Sequence, residues 1–391
     1  MSTLKVTNLR HSSASSDAIT LVSDGTATAK ITNNLSNRNI IINGAMNVAQ
    51  RGTSSTSSDF GLDRWKVQWS GQDEALTHAQ HALTSSDTGP WAKGFRNSLH
   101  ITNGNQTSGA GAADYANIRY VVEAQDLACS GWDSTSSSSK LTLSFWVKSS
   151  VAQNFYGWIY NGGGSKNYVF ETGSLSADTW TKVTKTIPGA SGLTVANDNT
   201  SGLTLYFSMF EGTDRTASMS LDTWATYSSS SRTPDMTSTW WTTNDATFEI
   251  TGVQVEVGDF ATDFEHRTYH NELLACQRYY LVWADAPNAG EDEPIGSAWL
   301  NSGSYNFLTD CRFPVEMRAH PSVVSKNATN AFRVYGAGAG GAYFDQMNFN
   351  EQITTRMARV GGTANLDTSG KGAGIRAHSS GGGYLHFNAE L

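Results

Sequence analysis

Apolar and polar residues alternate with a period of two in several stretches of the chain. In LTLSFWVK, Leu141, Leu143, Phe145 and Val147 fall on one face, while Thr142, Ser144, Trp146 and Lys148 fall on the other. LTLYFSMF repeats the pattern, with Leu203, Leu205, Phe207 and Met209 opposite Thr204, Tyr206, Ser208 and Phe210. TGVQVEVG sets Val253, Val255 and Val257 against Gln254 and Glu256. Period two is the pleat of a strand, and a single apolar face predicts antiparallel sheets covered on one side. NIRYVVE, FYGWIY, NYVFE, TWTKVTKTI and TFEI are further strand candidates, set between SSSS, GGG, PG and ND runs that read as turns. NIIIN at 39–43 predicts a strand that enters this unit. Strands at this spacing over 40–268 predict a jelly-roll-like β-sandwich.

The pattern changes on either side. Residues 1–39 offer only short apolar touches (Leu4, Val6, Leu9, Ile19, Leu21, Val22, Ile31) among Ser, Asp, Gly and Asn. These are too few for a core and predict an extended arm that a partner chain holds in place. HNELLACQRYY at 270–280 puts Leu273, Leu274 and Gln277 on neighbouring turns of a short helix. A helix of about ten residues needs packing to persist, so the segment reads as a joint. QRYYLVWA, AFRVYG, GAYFDQMNFN and YLHFNAEL beyond it are strand-like and interrupted by glycine. They predict a smaller C-terminal β domain over 269–391 that begins with the helix. The expected fold is therefore all-β: an N-terminal extended arm, a jelly-roll-like β-sandwich, a short helical joint and a smaller C-terminal β domain.

Charge removes two function classes. The 391 residues carry 35 acidic and 27 basic side chains, a net charge of −8. A nucleic-acid groove needs a basic stripe to displace counterions from phosphates, so no nucleic-acid partner is expected. No apolar run approaches the roughly 20 residues of a membrane-spanning helix, and MSTLKVTNLRHSSASS lacks the apolar stretch of a secretory signal. The expectation is a protein made in the cytoplasm, without membrane insertion. Cys129, Cys276 and Cys311 are widely spread, without CxxC spacing or clustered histidines. They are expected to be reduced and buried, with no disulfide framework, metal or cofactor.

Catalytic motifs are equally sparse. GAGAGG at 336–341 matches GxGxxG, but a strand-like AYFDQMNFN follows where a dinucleotide site needs a helix, so it reads as a glycine-rich β connection. NDNTSG at 197–202 has part of a calcium-loop spacing, yet Ser208 stands where the bidentate acid belongs. Asp214, Asp222, Asp235 and Asp245 would form a glycosidase pair only at the right carboxylate separation, which spacing does not supply. There is no GxSxG elbow, HExxH pair or GKS/GKT loop. No catalytic residue is assigned.

The aromatic residues say more. Twelve tryptophans and fourteen tyrosines exceed what a sandwich core requires. Trp158 and Tyr160 precede NGGGS, Trp224 and Tyr227 precede SSSS, and Trp240 and Trp241 lie in TSTWWTTND. Rings in such contexts stack on sugar faces beside Asn, Asp and Thr, pack between subunits, or pack within the chain; all three roles stay open.

GVQVEVGDFATDFEHRTYHNELLACQRYY, from Gly252, resembles a segment recurrent in bacteriophage tail-fibre and related virion proteins, where a sandwich ends at a Q-x-E-x-G-x-x-A-T-x-F-E-x-R turn followed by E-L-x-x-C-Q-R-Y-Y. FPVEMRAHPSVV resembles that family's C-terminal domain, and NIIINGAMNVAQRGTS with the later DRW resembles its sandwich entry. The matching patches frame residues 39–324. The resemblance implies a virion structural or receptor-recognition protein, commonly a homotrimer, whose sandwich is similar to carbohydrate-binding modules. It implies a chain assembled in the host cytoplasm, placed in the virion tail, docked to other tail proteins through residues 1–39 and able to bind host surface polysaccharide. Glu265 and Arg267 are placed to fix the turn, and Tyr279 and Tyr280 to pack at a subunit interface or as ordinary core residues. A non-enzymatic tail fibre that binds glycan leads; a purely structural virion subunit is the alternative. A polysaccharide depolymerase tailspike is disfavoured by the lack of parallel β-helix repeats.

Overall fold

The computed structural model describes residues 5–15, 17–23, 25, 27–29, 38–163, 165–286, 290–300, 307–336, 341–347, 352–364 and 372–391. The chain is all-β, its regular structure being mostly antiparallel sheets. Two six-stranded sheets face each other over 54–257. The front sheet runs in the order Trp224–Thr226, Lys166–Ser174, Asn154–Asn161, Ser201–Glu211, Tyr115–Glu123, Lys66–Ser70. The back sheet runs Thr181–Pro188, Lys140–Ser149, Thr247–Val257, Asn97–Thr102, Thr77–Ala82, Ser54–Ser55. Leu141, Leu143, Phe145 and Val147 of the back sheet meet Leu203, Leu205, Phe207 and Met209 of the front sheet in one buried cluster. Phe145 and Phe207 touch edge to face at 5.0 Å, the arrangement that ring quadrupoles favour.

Both sheets depart from simple alternation. The register of Ser201–Glu211 shifts between Ser208 and Phe210 against Tyr115–Glu123. This bulge reverses the faces that follow it: Phe210, expected on the polar face, enters the core and lies against Trp241, and Glu211 turns to the opposite face. In Thr247–Val257 a second shift falls between Thr251 and Gln254. Gly252 there has φ +63°, and a Cβ on it would lie 2.6 Å from the Phe95 ring, so the position suits glycine alone. The outer face of this strand is covered as well. Gln254 and Glu256 are buried because the chain folds back over them: Glu256 accepts from Thr262 N (2.9 Å), and Gln254 accepts from Glu265 N (2.8 Å).

NIIIN is not a strand. Side-chain bonds of Asn39 replace the ladder, since its Oδ1 accepts from Ile41 N (3.0 Å) and Val255 N (3.1 Å). Asn43 then turns at φ +58°, and its amide binds the carbonyls of Val48 and Asp63. The expected joint helix is Tyr269–Gln277, capped by the Thr268 hydroxyl. It is accompanied by one-turn helices at Ala124–Ala128 and Thr239–Thr242. Cys276 and Cys311 are buried and Cys129, contrary to expectation, is exposed at the end of the first of these turns.

A second buried cluster spans Leu281 to Ala389. It belongs to a three-stranded sheet, Tyr280–Asp285, Tyr384–Asn388, Ser322–Ser325, and a six-stranded one, Ala342–Phe344, Phe332–Gly336, Gly372–Ala377, Glu293–Leu300, Phe307–Arg312, Met357–Gly362. In the glycine-rich stretch, residues 337–340 lie outside the described residues; Gly336 ends one strand, and the strand Ala342–Phe344 pairs back on it. Asn199 of NDNTSG bonds the Arg318 carbonyl (2.7 Å) and Asp198 caps Thr200, an ordinary loop. The N-terminal residues are not simply extended: Asn8–Leu9, Ile19–Leu21 and Ala27–Ala29 form a small antiparallel meander. Val6, Leu9, Leu21 and Val22 are exposed on it, and Leu4 and Ile31 lie outside the described residues. Among the described residues no helix is long and apolar enough to cross a membrane.

Candidate functional site: an aromatic cleft on the front sheet

The outer face of the front sheet is built from the polar positions of its strands. Direct cross-strand pairing sets Lys66, Arg119, Tyr206 and Trp158 in one row over four strands, with Gln68, Asn117, Ser208 and Tyr156 in the next. Side chains opposite one another in antiparallel strands meet. The rings of Trp158 and Tyr206 accordingly stack at 4.3 Å and 8°. Tyr160, one pleat along, meets Tyr227 edge to face at 4.4 Å. The loop that follows Glu211 closes over this row, with Thr216 bridged to Thr233 and Arg232 N bonded to Arg215 O at 2.7 Å. That closure brings Arg215 and Arg232 side by side: one guanidinium lies 4.4 Å from the Tyr115 ring centre and the other 6.0 Å from that of Trp158.

The result is a cleft of about 280 Å³ lined by Gln68, Tyr115, Asn117, Trp158, Tyr160, Tyr206, Arg215, Tyr227 and Arg232. Glu211, turned to this face by the bulge, lies 3.9 Å from both guanidiniums. Asn117 Nδ2 donates to it at 3.1 Å and Ser208 Oγ at 3.4 Å. Burial raises its carboxyl to about 7, against the pull of Arg232, Asn117 and Arg215. Near neutrality, then, Glu211 is partly protonated and only partly cancels the two cations. Asn117 Oδ1, Glu211 Oε2 and the Nε atoms of Arg215 and Arg232 are buried without a hydrogen bond, so the site has unmet bonding capacity.

Three of the six singled-out aromatics, Trp158, Tyr160 and Tyr227, meet in this cleft. Trp224 stands on the edge strand, its Nε1 bonded to Pro188 O (2.7 Å) and its ring against Tyr168. Trp240 and Trp241 are fully buried, with Nε1 bonded to Thr247 O and Gly109 O. Rings so enclosed have no face left for a sugar, and Trp158, only 1% exposed and stacked on Tyr206, is enclosed as well, so all three leave the set of glycan contacts and Trp158 serves as the floor of the cleft. Asp222 pairs with Lys185 and Asp235 binds the Thr216 hydroxyl, and no carboxylate is among the described residues that line the cleft. Sequence reasoning missed the two arginines, whose meeting depends on a loop closure without a motif. Tyr206 was legible as a polar-face residue but was not singled out.

The joint residues grip both ends of the sandwich. Glu265 accepts from Asn39 N (2.8 Å), and Arg267 donates to the carbonyls of Asn39 and Ile41 while pairing with Glu265 and Glu272. Tyr279 and Tyr280 are buried within the chain. Tyr279 Oη donates to buried Glu123 (2.6 Å), which also takes Arg278 at 2.6 and 3.0 Å, and the Arg64 guanidinium lies over its ring at 3.4 Å. Arg64 pairs in turn with Glu390. Tyr280 Oη meets His386 Nδ1 at 2.7 Å beneath Arg51; burial pushes the tyrosine up to about 12 and the histidine down to about 4. Both rings thus join the sandwich to the C-terminal domain.

No family model and no curated protein matches the chain. Among solved structures, it is similar to the enzymatically active domain of tailspike protein 4 from bacteriophage CBA120 (11% identity, TM-score 0.30), with 56% of this chain and 21% of that one covered. It thus spans about a fifth of that tailspike chain. It is also similar to a xylan-binding domain from Paenibacillus barcinonensis (12%, TM-score 0.28, 60% and 100% covered). A cellulose-binding domain from Cellulomonas fimi gives 13% identity at TM-score 0.25, with 54% and 97% covered. Likeness at these scores adds no functional argument.

Proposed function

We propose that this chain is a non-enzymatic tail-fibre component of a phage virion that binds an anionic polysaccharide of the host surface in the front-sheet cleft. The cleft carries the reading: the half-buried rings of Tyr115, Tyr160, Tyr206 and Tyr227, on a floor made by Trp158, stand beside two guanidiniums, on a chain whose net charge is −8. Guanidinium forks bind carboxylate, sulfate or phosphate groups bidentately, so saccharides bearing such groups fit better than neutral ones. A lining with two cations and no carboxylate among its described residues suits holding a ligand rather than the acid–base pair of a glycosidase. Placement in a tail fibre rests on the resemblance of residues 252–280 to that protein class, and so does the expected homotrimer. The exposed Val6, Leu9, Leu21 and Val22 of the N-terminal meander supply apolar surface for docking to other tail proteins.

The test is calorimetric titration with a polyuronate and with its neutral counterpart of equal length. The polyuronate should bind more tightly, and Arg232→Gln and Tyr227→Ala should each weaken it, by about 1–3 kcal/mol for the charged contact. A trimeric protein that binds neither polymer would overturn the recognition role and leave a purely structural subunit.

A further inference from the structure

The back sheet carries a polar cluster that the cleft does not use. His81 on Thr77–Ala82, His100 on Asn97–Thr102 and Glu249 on Thr247–Val257 come from three adjacent strands. Glu249 stands opposite His100 in register, and His81 sits two residues beyond Ala79, the partner of His100, so all three share one face. His81 Nδ1 lies 3.1 Å from Glu249 Oε2 and His100 Nδ1 lies 3.3 Å from Oε1, and the ligand atoms all fall within 4.8 Å of one another. Ligand atoms bound to one tetrahedral zinc ion at about 2.0–2.2 Å sit roughly 3.4 Å apart, close to both histidine–carboxylate distances, and a set within 4.8 Å reaches that spacing by small side-chain rotations.

The surroundings favour a further cation. His100 Nδ1 is buried with the Glu249 carboxylate at 3.3 Å as its neighbour, outside good hydrogen-bond geometry, while its Nε2 is held 3.2 Å from Thr102 Oγ1. When Nε2 carries the ring proton, the Nδ1 lone pair faces the carboxylate with nothing between them. Ser98 Oγ donates to Glu249 at 2.6 Å, the kind of outer contact that orients a metal-binding carboxylate. Lys148 Nζ is 2.8 Å from Glu249 and 3.3 Å from Asp87, so one ammonium serves two carboxylates and the group keeps a net negative charge with neutral histidines. Lys148 can rest on Asp87, which Trp180 Nε1 also holds at 3.0 Å. His81 is 47% exposed, which leaves a side of the group open to solvent.

We propose that His81, His100 and Glu249 form a binding site for a divalent transition-metal ion, zinc by preference, with an open coordination position at the protein surface. Two imidazoles and a carboxylate suit zinc and its neighbours and disfavour calcium and magnesium, which take oxygen ligands. The CxxC and HExxH patterns sought in the chain miss it because the ligands are distant in sequence and meet only through strand pairing.

Tag-free protein, stripped with chelator, is titrated with zinc chloride by calorimetry and with cobalt(II) by visible absorption. One ion should bind per chain, with ligand-field bands in the cobalt form and a raised melting temperature in zinc. His81→Ala, at an exposed position, should fold and lose at least about tenfold in affinity. Lys148→Met should bind more tightly, because it removes the competing ammonium; a purely structural ion-pair cluster would show no such gain. Calcium should give no stoichiometric binding. Absence of stoichiometric zinc binding, or binding unchanged in both His81→Ala and His100→Ala, would overturn the assignment.

Discussion

Replacing Glu211 by glutamine isolates the charge beside the cleft. The carboxyl is enclosed, receives bonds from Asn117 and Ser208 and has both guanidiniums at 3.9 Å, yet burial dominates and brings it to about 7 from an ordinary 4.5. Between those two values the folded chain keeps a proton that the unfolded chain has lost. The contribution of Glu211 is therefore fully present below pH 4.5 and is lost as the pH rises through 7. The gap, about 7 less 4.5, amounts at about 1.4 kcal/mol per tenfold to about 3 kcal/mol. Glutamine keeps the shape and an acceptor for Asn117 and does not titrate. Urea unfolding of both proteins from about pH 4.5 to 8.5 should show the stability difference swinging by about 3 kcal/mol towards Glu211→Gln, mostly between pH 5 and 7. Subtracting the two curves removes the other titrating groups. Parallel curves would refute the reasoning and show that the arginines, not burial, decide the ionisation of this carboxyl. The same experiment bears on binding, since an anionic saccharide should be held less tightly by the wild type above about pH 7 and show no such loss in the variant.

Trp241→Ala should lower stability by about 3–5 kcal/mol in chemical denaturation, while the folded protein keeps its saccharide affinity; a selective loss of binding would return this ring to the ligand surface. A thiol reagent added to native protein should label Cys129 rapidly, leaving Cys276 and Cys311 until the chain unfolds, because both are buried and Cys311 is pushed up to about 12. Fast labelling of a second thiol would contradict the packing around the joint helix or the second core.

Strand content was legible wherever residues alternate, because the pleat fixes side-chain direction whatever the partner strand. The limits are specific. Phe210 and Glu211 exchange faces at a bulge, and alternation carries no signal of where a register shift falls. NIIIN has the composition of a strand, but flanking asparagines offer the backbone a substitute for the ladder. Trp240 and Trp241 lie among Thr, Ser and Asn, so their surroundings read as a surface loop; in fact a single helical turn points both rings inward. Three of the five rings of the cleft were visible because Trp158, Tyr160 and Tyr227 are large rings beside polar turns. The arginine pair and the histidine–glutamate cluster were not, since pairing across strands and loop closure are decided by the whole sheet.

In the back sheet the last strand to be made, Thr247–Val257, lies between Lys140–Ser149 and Asn97–Thr102, and in the small sheet Tyr384–Asn388 lies between Tyr280–Asp285 and Ser322–Ser325. A ribosome releasing this chain from the N-terminal end therefore produces, for some time, half-sheets whose open edges await a strand not yet synthesised. Each unit closes in one late event: the sandwich once residue 257 has emerged, the second domain once residue 388 has. The tail that completes the second event also delivers Glu390 to Arg64 in the sandwich. Translation thus sets the order of assembly, and a polypeptide interrupted before either closure presents unpaired edges to its neighbours on the polysome.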